Sequence, residues 1–333
     1  MPAAADGAAA PRRRPEAALP RDNARSEPRP KWADPDRTAT GKTRACVAPT
    51  HLETLWFNTG TLCNIECANC YIESSPRNDR LAYLSAAEVR GYLDEIEREE
   101  MGTREIGFTG GEPFLNPELL SILEEAMGRG LRCLVLTNAM KPLMNKREEL
   151  EALRARFGEL LRLRGSIDHH SRAVHDRERG AGSFDKALAG LRWLAAEGFH
   201  VSVAGRSLVE EDAADAREGY ARLFAENGIS LKASDPDALV IFPEMDERAD
   251  LPEITTECWG ILKKEPSSVM CASSRMVVKR RGDAKPVVVA CTLIPYDERF
   301  SMGRTLKESW RPVSLTHPHC ASFCVLGGAS CGG

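Results

Sequence analysis

Between about residues 51 and 245, short apolar runs alternate with longer segments whose apolar residues repeat every three or four positions. The first pattern predicts buried strands, and the second predicts amphipathic helices. Ser85 and Glu88 have the spacing of a capping box, which predicts the start of the first helix. The chain therefore alternates strands and helices over most of its length.

The predicted strands cover residues 55–58, 106–109, 133–136, 161–167 and 199–204, followed by either 229–233 or 238–242. The predicted helices begin at Ser85 and at Asn116, or cover residues 147–157, 183–197 and 213–226. About six strand–helix units predict an α/β fold with a parallel sheet and helices outside it. The periodicity alone fits a partial barrel and a doubly wound sheet equally well.

The two ends of the chain depart from this alternation. After about residue 250 it stops, and residues 276–279 and 287–290 resemble two strands joined by a turn. We expect a small cysteine-rich domain over residues 255–333, apart from the sheet domain of residues 51–245. Residues 1–45 are rich in Ala, Pro and Arg and poor in larger apolar residues, which predicts a disordered tail.

Composition narrows the class of protein. The 333 residues carry a net charge of −4, which gives no indication of a nucleic-acid or membrane partner. The chain has no apolar run long enough to span a bilayer and no apolar core of a secretory signal, so we expect a cytoplasmic protein. Eleven cysteines in such a chain favour metal or redox chemistry over disulfides.

Three of these cysteines, Cys63, Cys67 and Cys70, lie within eight residues directly after the first predicted strand. Thiolates are soft ligands that suit iron–sulfur clusters and zinc. Three thiolates leave one iron of a four-iron cluster open to a small molecule. On spacing alone, the alternative is a zinc site whose fourth ligand lies elsewhere in the chain.

The second predicted strand ends in Phe108-Thr109-Gly110-Gly111-Glu112-Pro113. The triple-cysteine loop followed by this segment resembles the radical S-adenosylmethionine (SAM) enzymes over about residues 51–245. The resemblance implies a partial six-unit barrel, a 4Fe–4S cluster on the three cysteines, and SAM on the open iron. It also implies that Gly110, Gly111 and Glu112 help to hold the amine of SAM. Asn69 departs from the family, which usually has an aromatic residue there, and this weakens packing towards the adenine but not ligation.

The same resemblance implies the reaction. A radical SAM enzyme cleaves SAM reductively to methionine and a 5′-deoxyadenosyl radical, which takes a hydrogen atom from a substrate. It needs an electron donor such as a flavodoxin or a ferredoxin. The alternative is an iron–sulfur electron carrier or metal-binding protein without SAM cleavage. The glycine–glutamate segment argues against that alternative, because a carrier needs no amine site beside an open iron.

Polar residues end the later strands, where reactive groups of parallel barrels lie. The family commonly uses such positions to bind the ribose and carboxylate of SAM. On that resemblance, Ser166, Asp168 and Asn138 are candidates for these contacts, and Arg206 is a candidate partner of the carboxylate. Ordinary turn chemistry and helix capping, or a solvated arginine, explain the same residues equally well.

A second group of cysteines follows residue 250. Cys271 and Cys291 flank the predicted hairpin, and Cys320 and Cys324 are one helical turn apart. This region, which includes Cys331, resembles the SPASM or twitch extensions of radical SAM enzymes that bind auxiliary iron–sulfur clusters. The six cysteines of the region are too few for two fully thiolate-ligated clusters, so we expect one auxiliary 4Fe–4S cluster. Which four ligands bind it stays open, and zinc is the alternative.

The residues do not identify the substrate. A peptide or protein and a small metabolite are both candidates, with a lean towards the peptide because auxiliary-cluster extensions are common in peptide-modifying relatives. The tail of residues 1–45 has too few apolar residues to form a leader-binding domain. We therefore expect its deletion to leave turnover nearly unchanged.

Overall fold

The computed structural model describes residues 30–246 and 248–330. Within these residues the strands are β1 Cys46–Val47, β2 Thr54–Asn58, β3 Glu105–Thr109, β4 Arg132–Thr137, β5 Leu161–Ser166, β6 His200–Arg206, β7 Leu239–Phe242, β8 Ser274–Val278, β9 Val287–Val289, β10 Ser301–Gly303 and β11 Val313–Ser314. The α-helices are α1 Ala86–Arg98, α2 Leu119–Gly128, α3 Lys141–Met144, α4 Arg147–Phe157, α5 Arg172–Arg179, α6 Ser183–Ala196, α7 Ala213–Glu226 and α8 Cys258–Leu262. A single π-helical turn covers Cys320–Val325.

Six strands, β2 to β7, pair in parallel and in sequence order. The main helices connect these strands, so the predicted α/β fold with a parallel, partial-barrel sheet is confirmed. The last of these six strands is β7. It lies in residues 238–242, the second of the two segments that the sequence left open. The parallel order brings the carboxyl ends of all six strands to one edge, where the loops with the candidate chemistry lie.

The predicted C-terminal hairpin is also present, because β8 and β9 pair antiparallel. However, β8 pairs in parallel with β2, from Thr54 opposite Ser274 to Phe57 opposite Val277. The hairpin and β10 therefore extend the central sheet to nine strands instead of forming a separate layer. Hydrophobic periodicity could not reveal this, because it carries no information on which distant strands pair.

The two faces of the sheet have separate cores. On the helical side, the rings of Phe57 and Phe108 stack at 6.0 Å, and Tyr92 of α1 packs against Phe57 at 6.1 Å. On the inner side, Trp56 packs with residues of the C-terminal region. A Cβ atom on Gly107 would lie 2.3 Å from the Trp56 ring, so the glycine of β3 leaves space for that ring.

The helix starts that the sequence predicted largely agree with the structure. Both hydrogen bonds of the capping box exist, from the Glu88 amide to Ser85 Oγ at 3.3 Å and from the Ser85 amide to Glu88 Oε2 at 2.9 Å. Asn116 lies before a turn, and α2 begins only at Leu119. Helix α5 was not predicted, because it is almost entirely polar and gives no apolar repeat.

Part of the predicted disordered tail is folded. Of residues 1–45, the structure describes 30–45, and Arg44 and Thr38 are buried there. Arg44 pairs with Glu253 at 2.5 Å, and β1, which follows directly, pairs with β11. The tail prediction was therefore too long, because contacts with the C-terminal region replace the missing local core. Residues 1–29 lie outside the described residues.

None of the helices in the described residues is long and apolar enough to cross a bilayer.

Candidate active site

A cavity of ≈ 190 Å³ opens at the carboxyl ends of the parallel strands. It brings together nine of the ten residues that the sequence assigned to the SAM-binding cluster and to SAM: Cys63, Cys67, Cys70, Gly110, Gly111, Asn138, Ser166, Asp168 and Arg206. The tenth, Glu112, is not among the lining residues.

The two motif loops meet because the pairing of β2 and β3 continues beyond the strands. The amide of Gly111 donates to Gly60 O at 2.8 Å, and that of Glu112 donates to Leu62 O at 3.1 Å. A Cβ on Gly111 would lie only 2.0 Å from Leu62 O. Gly110 has a φ of +136°, a conformation that other residues rarely adopt. These glycines therefore allow the glycine segment to approach the start of the cysteine loop.

The three thiols are partly or wholly buried at the wall of the cavity. Burial raises the pKa of Cys63 to about 12 and that of Cys67 to about 11. Protonated thiols of this kind become thiolates when a soft metal displaces the proton. The Cys70 sulfur already accepts a hydrogen bond from the Ser74 amide at 3.3 Å, as a ligating thiolate would.

Two polar atoms on the wall are without hydrogen-bond partners among the described residues, namely Ser74 Oγ and Arg206 Nε. Buried polar groups normally have partners. Together with the three thiols, these atoms fit a site that takes a cluster and a polar small molecule. The residues present are therefore compatible with the cofactors that the resemblance implies.

Glu112 has partners other than the amine that we expected. Its carboxylate accepts hydrogen bonds from Thr137 Oγ1 and from the Asn138 amide, both at 2.8 Å. The side chain is buried, and burial raises its pKa to about 7. Because these donors belong to the neighbouring strand β4 and its loop, Glu112 holds that loop against the glycine segment.

Asp168 is occupied by an internal ion pair. Arg179 donates to its two carboxylate oxygens at 2.7 and 2.8 Å. Burial opposes ionisation, but the Arg179 guanidinium outweighs it and holds the pKa of Asp168 below its ordinary value. A direct contact of this carboxylate with a ribose, which the sequence led us to expect, would have to compete with the arginine.

Arg206 is likewise paired within the protein. It donates to Glu178 and to Glu244, each at 2.8 Å, and its guanidinium lies 4.9 Å from the centre of the Tyr71 ring. Two carboxylates therefore already balance the charge of this guanidinium. A ligand carboxylate, which we expected Arg206 to bind, would have to compete with them. Its Nε is buried and has no hydrogen-bond partner among the described residues.

The other two candidates for SAM contacts, Asn138 and Ser166, are uncharged side chains. Asn138 donates to Asn64 Oδ1 at 2.8 Å and lies 3.8 Å from the Cys63 sulfur, so it also orders the cysteine loop. Ser166 lines the cavity at the end of β5.

Sequence reasoning missed Glu178 and Arg179, which end helix α5 beside the cysteine loop. The carbonyl of Glu178 accepts from the Ala68 amide at 2.8 Å, and its Oε1 accepts from the Asn69 amide at 2.8 Å. A glutamate followed by an arginine is common at the end of a solvent-exposed helix. The sequence therefore gave no sign that these two residues belong to the site. The structure shows that α5 fastens the loop and supplies the partners of Asp168 and Arg206.

Four of the C-terminal cysteines meet at a second, smaller cavity of ≈ 20 Å³. It is lined by Cys271 and Cys291, which flank the hairpin, and by Cys320 and Cys324 of the π-helical turn. Burial raises the pKa of Cys271 to about 11 and that of Cys320 to about 12. The predicted fifth candidate, Cys331, lies outside the described residues.

Comparison with known proteins identifies the family to which this chain is similar. Residues 57–223, half of the chain, match the radical SAM superfamily. The chain is 27% identical over 274 residues to the antilisterial bacteriocin subtilosin biosynthesis protein AlbA of Bacillus subtilis, covering 75% of this chain and 57% of AlbA. It is 30% identical over 137 residues to the mycofactocin maturase MftC of Mycobacterium tuberculosis, covering 41% of this chain and 33% of MftC.

The fold resembles that of Streptococcus suis SuiB, solved with bound S-adenosylmethionine. The TM-score is 0.55 at 12% identity, over 80% of this chain and 67% of SuiB. The chain spans between about a third and just over half the length of the two curated relatives.

The chain belongs to the radical SAM superfamily, as its motifs indicated. The cofactors of that superfamily are a 4Fe–4S cluster and SAM. The residues of the larger cavity fit both.

Proposed function

We propose that this chain is a radical SAM enzyme that cleaves SAM reductively and takes a hydrogen atom from a peptide substrate. One observation carries the proposal: the triple-cysteine loop, the glycine pair and the polar strand ends line a single cavity. A protein that only carries electrons has no use for a cavity that joins a glycine pair and polar strand ends to its cluster. The family supports the reductive cleavage.

Cys63, Cys67 and Cys70 would hold the cluster, which when bound supplies the electron for the cleavage. The backbone of Gly110 and Gly111, with Ser166 and Asn138, would bind and orient the polar parts of SAM. Apolar residues complete the wall and exclude water, which would otherwise quench a reactive intermediate. These residues are Ile65, Ile72, Leu136 and Phe242.

The ion pairs have a different task in this proposal. Asp168 with Arg179, and Arg206 with Glu178 and Glu244, bring charges to the wall as ion pairs instead of as isolated groups. Such paired groups present fixed dipoles that need no rearrangement when a ligand enters. They position the ligand and the cysteine loop and take no part in bond making.

The relatives support the peptide substrate. AlbA takes part in the biosynthesis of a bacteriocin, MftC is a maturase, and SuiB has been solved with the precursor peptide SuiA. A small metabolite is the rival substrate. An external one-electron donor such as a flavodoxin or ferredoxin completes the proposal, because reductive cleavage consumes one electron in each turnover.

We further propose an auxiliary 4Fe–4S cluster on Cys271, Cys291, Cys320 and Cys324. Their meeting at one cavity supports this ligand set. The region of residues 255–333 would then be the auxiliary-cluster domain, attached to a barrel domain of residues 51–245. Such a cluster would accept an electron from the product radical or bind the substrate.

The test is anaerobic loading with iron and sulfide, followed by reduction in the presence of SAM and assay for 5′-deoxyadenosine. We expect formation of 5′-deoxyadenosine that depends on the loaded cluster. Loaded protein that yields none would contradict the proposed activity. Candidate peptides and metabolites can then be compared by the extra 5′-deoxyadenosine each elicits, and stimulation by metabolites alone would overturn the peptide assignment.

A further inference from the structure

Arg275 of β8 is buried beside the C-terminal cysteines, with 1% of its surface exposed. Its guanidinium donates four hydrogen bonds. Nη1 donates to Cys271 O at 2.6 Å and to Ser274 O at 2.7 Å, Nε donates to Ser309 O at 3.1 Å, and Nη2 donates to Arg311 O at 3.3 Å. Every one of these acceptors is a neutral backbone carbonyl.

No carboxylate of the described residues pairs with Arg275. The ring of Trp310, 5.4 Å from the guanidinium, offers only a weak cation–π contact. The buried Arg44 shows the usual arrangement, since its guanidinium pairs with the carboxylate of Glu253. A buried cation that has no anion is strongly unfavourable, so the folded protein is expected to supply one.

The neighbouring group that can become an anion is the cysteine site. Arg275 follows Cys271 by four residues and binds its carbonyl, and Cys271 lines the cavity together with Cys291, Cys320 and Cys324. Four thiolates around an iron–sulfur cluster or a zinc ion carry a net negative charge. The unpaired cation and the prospective anion are thus adjacent.

We propose that Arg275 is the counter-ion of the metal–thiolate group at this site and a positioning residue for Cys271. The inference rests on the auxiliary site of the proposed function. It goes beyond the ligand set, because it assigns the charge balance of the site, and hence its metal retention and redox behaviour, to a residue that is not a ligand.

The test separates charge from hydrogen bonding. Arg275→Lys keeps the charge but has fewer donors, whereas Arg275→Gln keeps amide donors without the charge. Both are made in the full chain with Cys63, Cys67 and Cys70 replaced by Ala, so that only the C-terminal site binds metal. Circular dichroism checks folding, and the readouts are metal release to a chelator and the midpoint potential of the bound cluster.

We expect Arg275→Gln to retain metal roughly 10- to 100-fold less tightly, the usual effect of losing an outer-shell partner. It should also shift the midpoint potential to a lower value, because the more negative reduced state loses its nearby cation. Arg275→Lys should stay close to the parent in both readouts. Equal behaviour of all three proteins, or a Gln variant closer to the parent than the Lys variant, would overturn the counter-ion role.

The metal content of the parent protein distinguishes this inference from the auxiliary-cluster proposal. If the parent binds zinc only, the cluster proposal fails, but zinc release still tests Arg275 by the same comparison. If the parent binds no metal, both fail. If it binds a cluster that neither variant affects, only the role of Arg275 is overturned.

Discussion

The Glu178 carboxylate accepts two hydrogen bonds from Asn69, from the backbone amide at 2.8 Å and from the side-chain amide at 3.1 Å. Asn69 lies between the second and third cysteines of the loop, where the superfamily usually has an aromatic residue. In this chain, helix α5 therefore holds the loop by hydrogen bonds instead of aromatic packing. Arg206 binds the same carboxylate and connects the loop to the end of β6.

The first prediction concerns this attachment. Glu178→Ala should weaken iron retention by the N-terminal site and lower the stability of the chain by about 1–3 kcal/mol, because buried donors lose their acceptor. Iron release to a chelator and denaturant unfolding measure the two effects. Glu244→Gln is the matched control, since it removes one partner of Arg206 without touching Asn69. Unchanged iron release in Glu178→Ala would show that the loop does not depend on α5.

The second prediction concerns the three N-terminal cysteines as a unit. Replacing Cys63, Cys67 or Cys70 by Ala should abolish all SAM cleavage and remove the absorbance of that cluster, because a cubane needs all three thiolates here. Cys46→Ala, an exposed position in β1, serves as the control and should keep both. A single Ala variant in the loop that cleaves SAM at the parent rate would refute the assignment.

The third prediction concerns the independence of the C-terminal site. A chain in which Cys63, Cys67 and Cys70 are all replaced by Ala should still bind about four irons, as a thiolate-ligated cubane would. Metal analysis after anaerobic loading measures this. Additional replacement of Cys271 and Cys320 should remove that iron. Detection of zinc alone in the triple variant would favour a structural zinc site.

Much of the fold could be predicted because its signals are local. The capping box of Ser85 and Glu88, and the apolar runs of β2 to β6, report on neighbouring residues and appear where expected. The meeting of the motif loops followed from the parallel order, since parallel strands end at one edge. The pairing of β8 with β2 did not follow, because it joins segments some 220 residues apart.

The site likewise combines features that local sequence predicts with features that depend on distant parts of the chain. The cysteines and glycines were found by spacing, whereas the sequence did not give the ion-pair partners of Asp168 and Arg206. Both remain candidates for contact with SAM, and in the structure they pair with Arg179 and Glu178 of α5. Helix α5 has no apolar repeat, so the sequence could neither place it nor identify these partners. Roles of charged residues depend on which opposite charge the fold brings near, and this is not a local property.

The fourth prediction follows from the folded part of the N-terminal segment. Arg44→Ala should destabilise the chain by about 3–5 kcal/mol, because it leaves Glu253 buried without its partner. Deleting residues 1–45, which removes Arg44 as well, should destabilise the chain at least as much. Lys42→Ala is the control, since its pair with Glu257 is exposed to solvent and should contribute little to stability. Denaturant unfolding compares them, and equal midpoints for both variants would contradict the prediction.

The last prediction concerns the pH dependence that Glu112 imposes on stability. Burial raises the pKa of its carboxyl from the ordinary 4.5 to about 7 in the folded chain. Between these two pH values the unfolded chain has lost the proton while the folded chain still holds it. The folded state therefore binds more protons there, and its stability must fall as the pH rises from about 4.5 to about 7. The full loss attributable to Glu112 is about 3 kcal/mol, since each pH unit of the interval contributes about 1.4 kcal/mol.

Other buried groups act in the opposite direction. Burial lowers the pKa of His175 to about 4, so this histidine makes the folded chain more stable as the pH rises towards 6.5. The effect of Glu112 must therefore be measured as a difference between the parent and Glu112→Gln, which retains a side-chain oxygen for one of the donors. We expect the free energy of unfolding of the parent, relative to that of the variant, to decrease steadily from pH 4.5 to pH 7 and to level off above it. Parallel curves over this range would mean that Glu112 titrates normally, and that its hydrogen bonds from Thr137 and the Asn138 amide offset its burial.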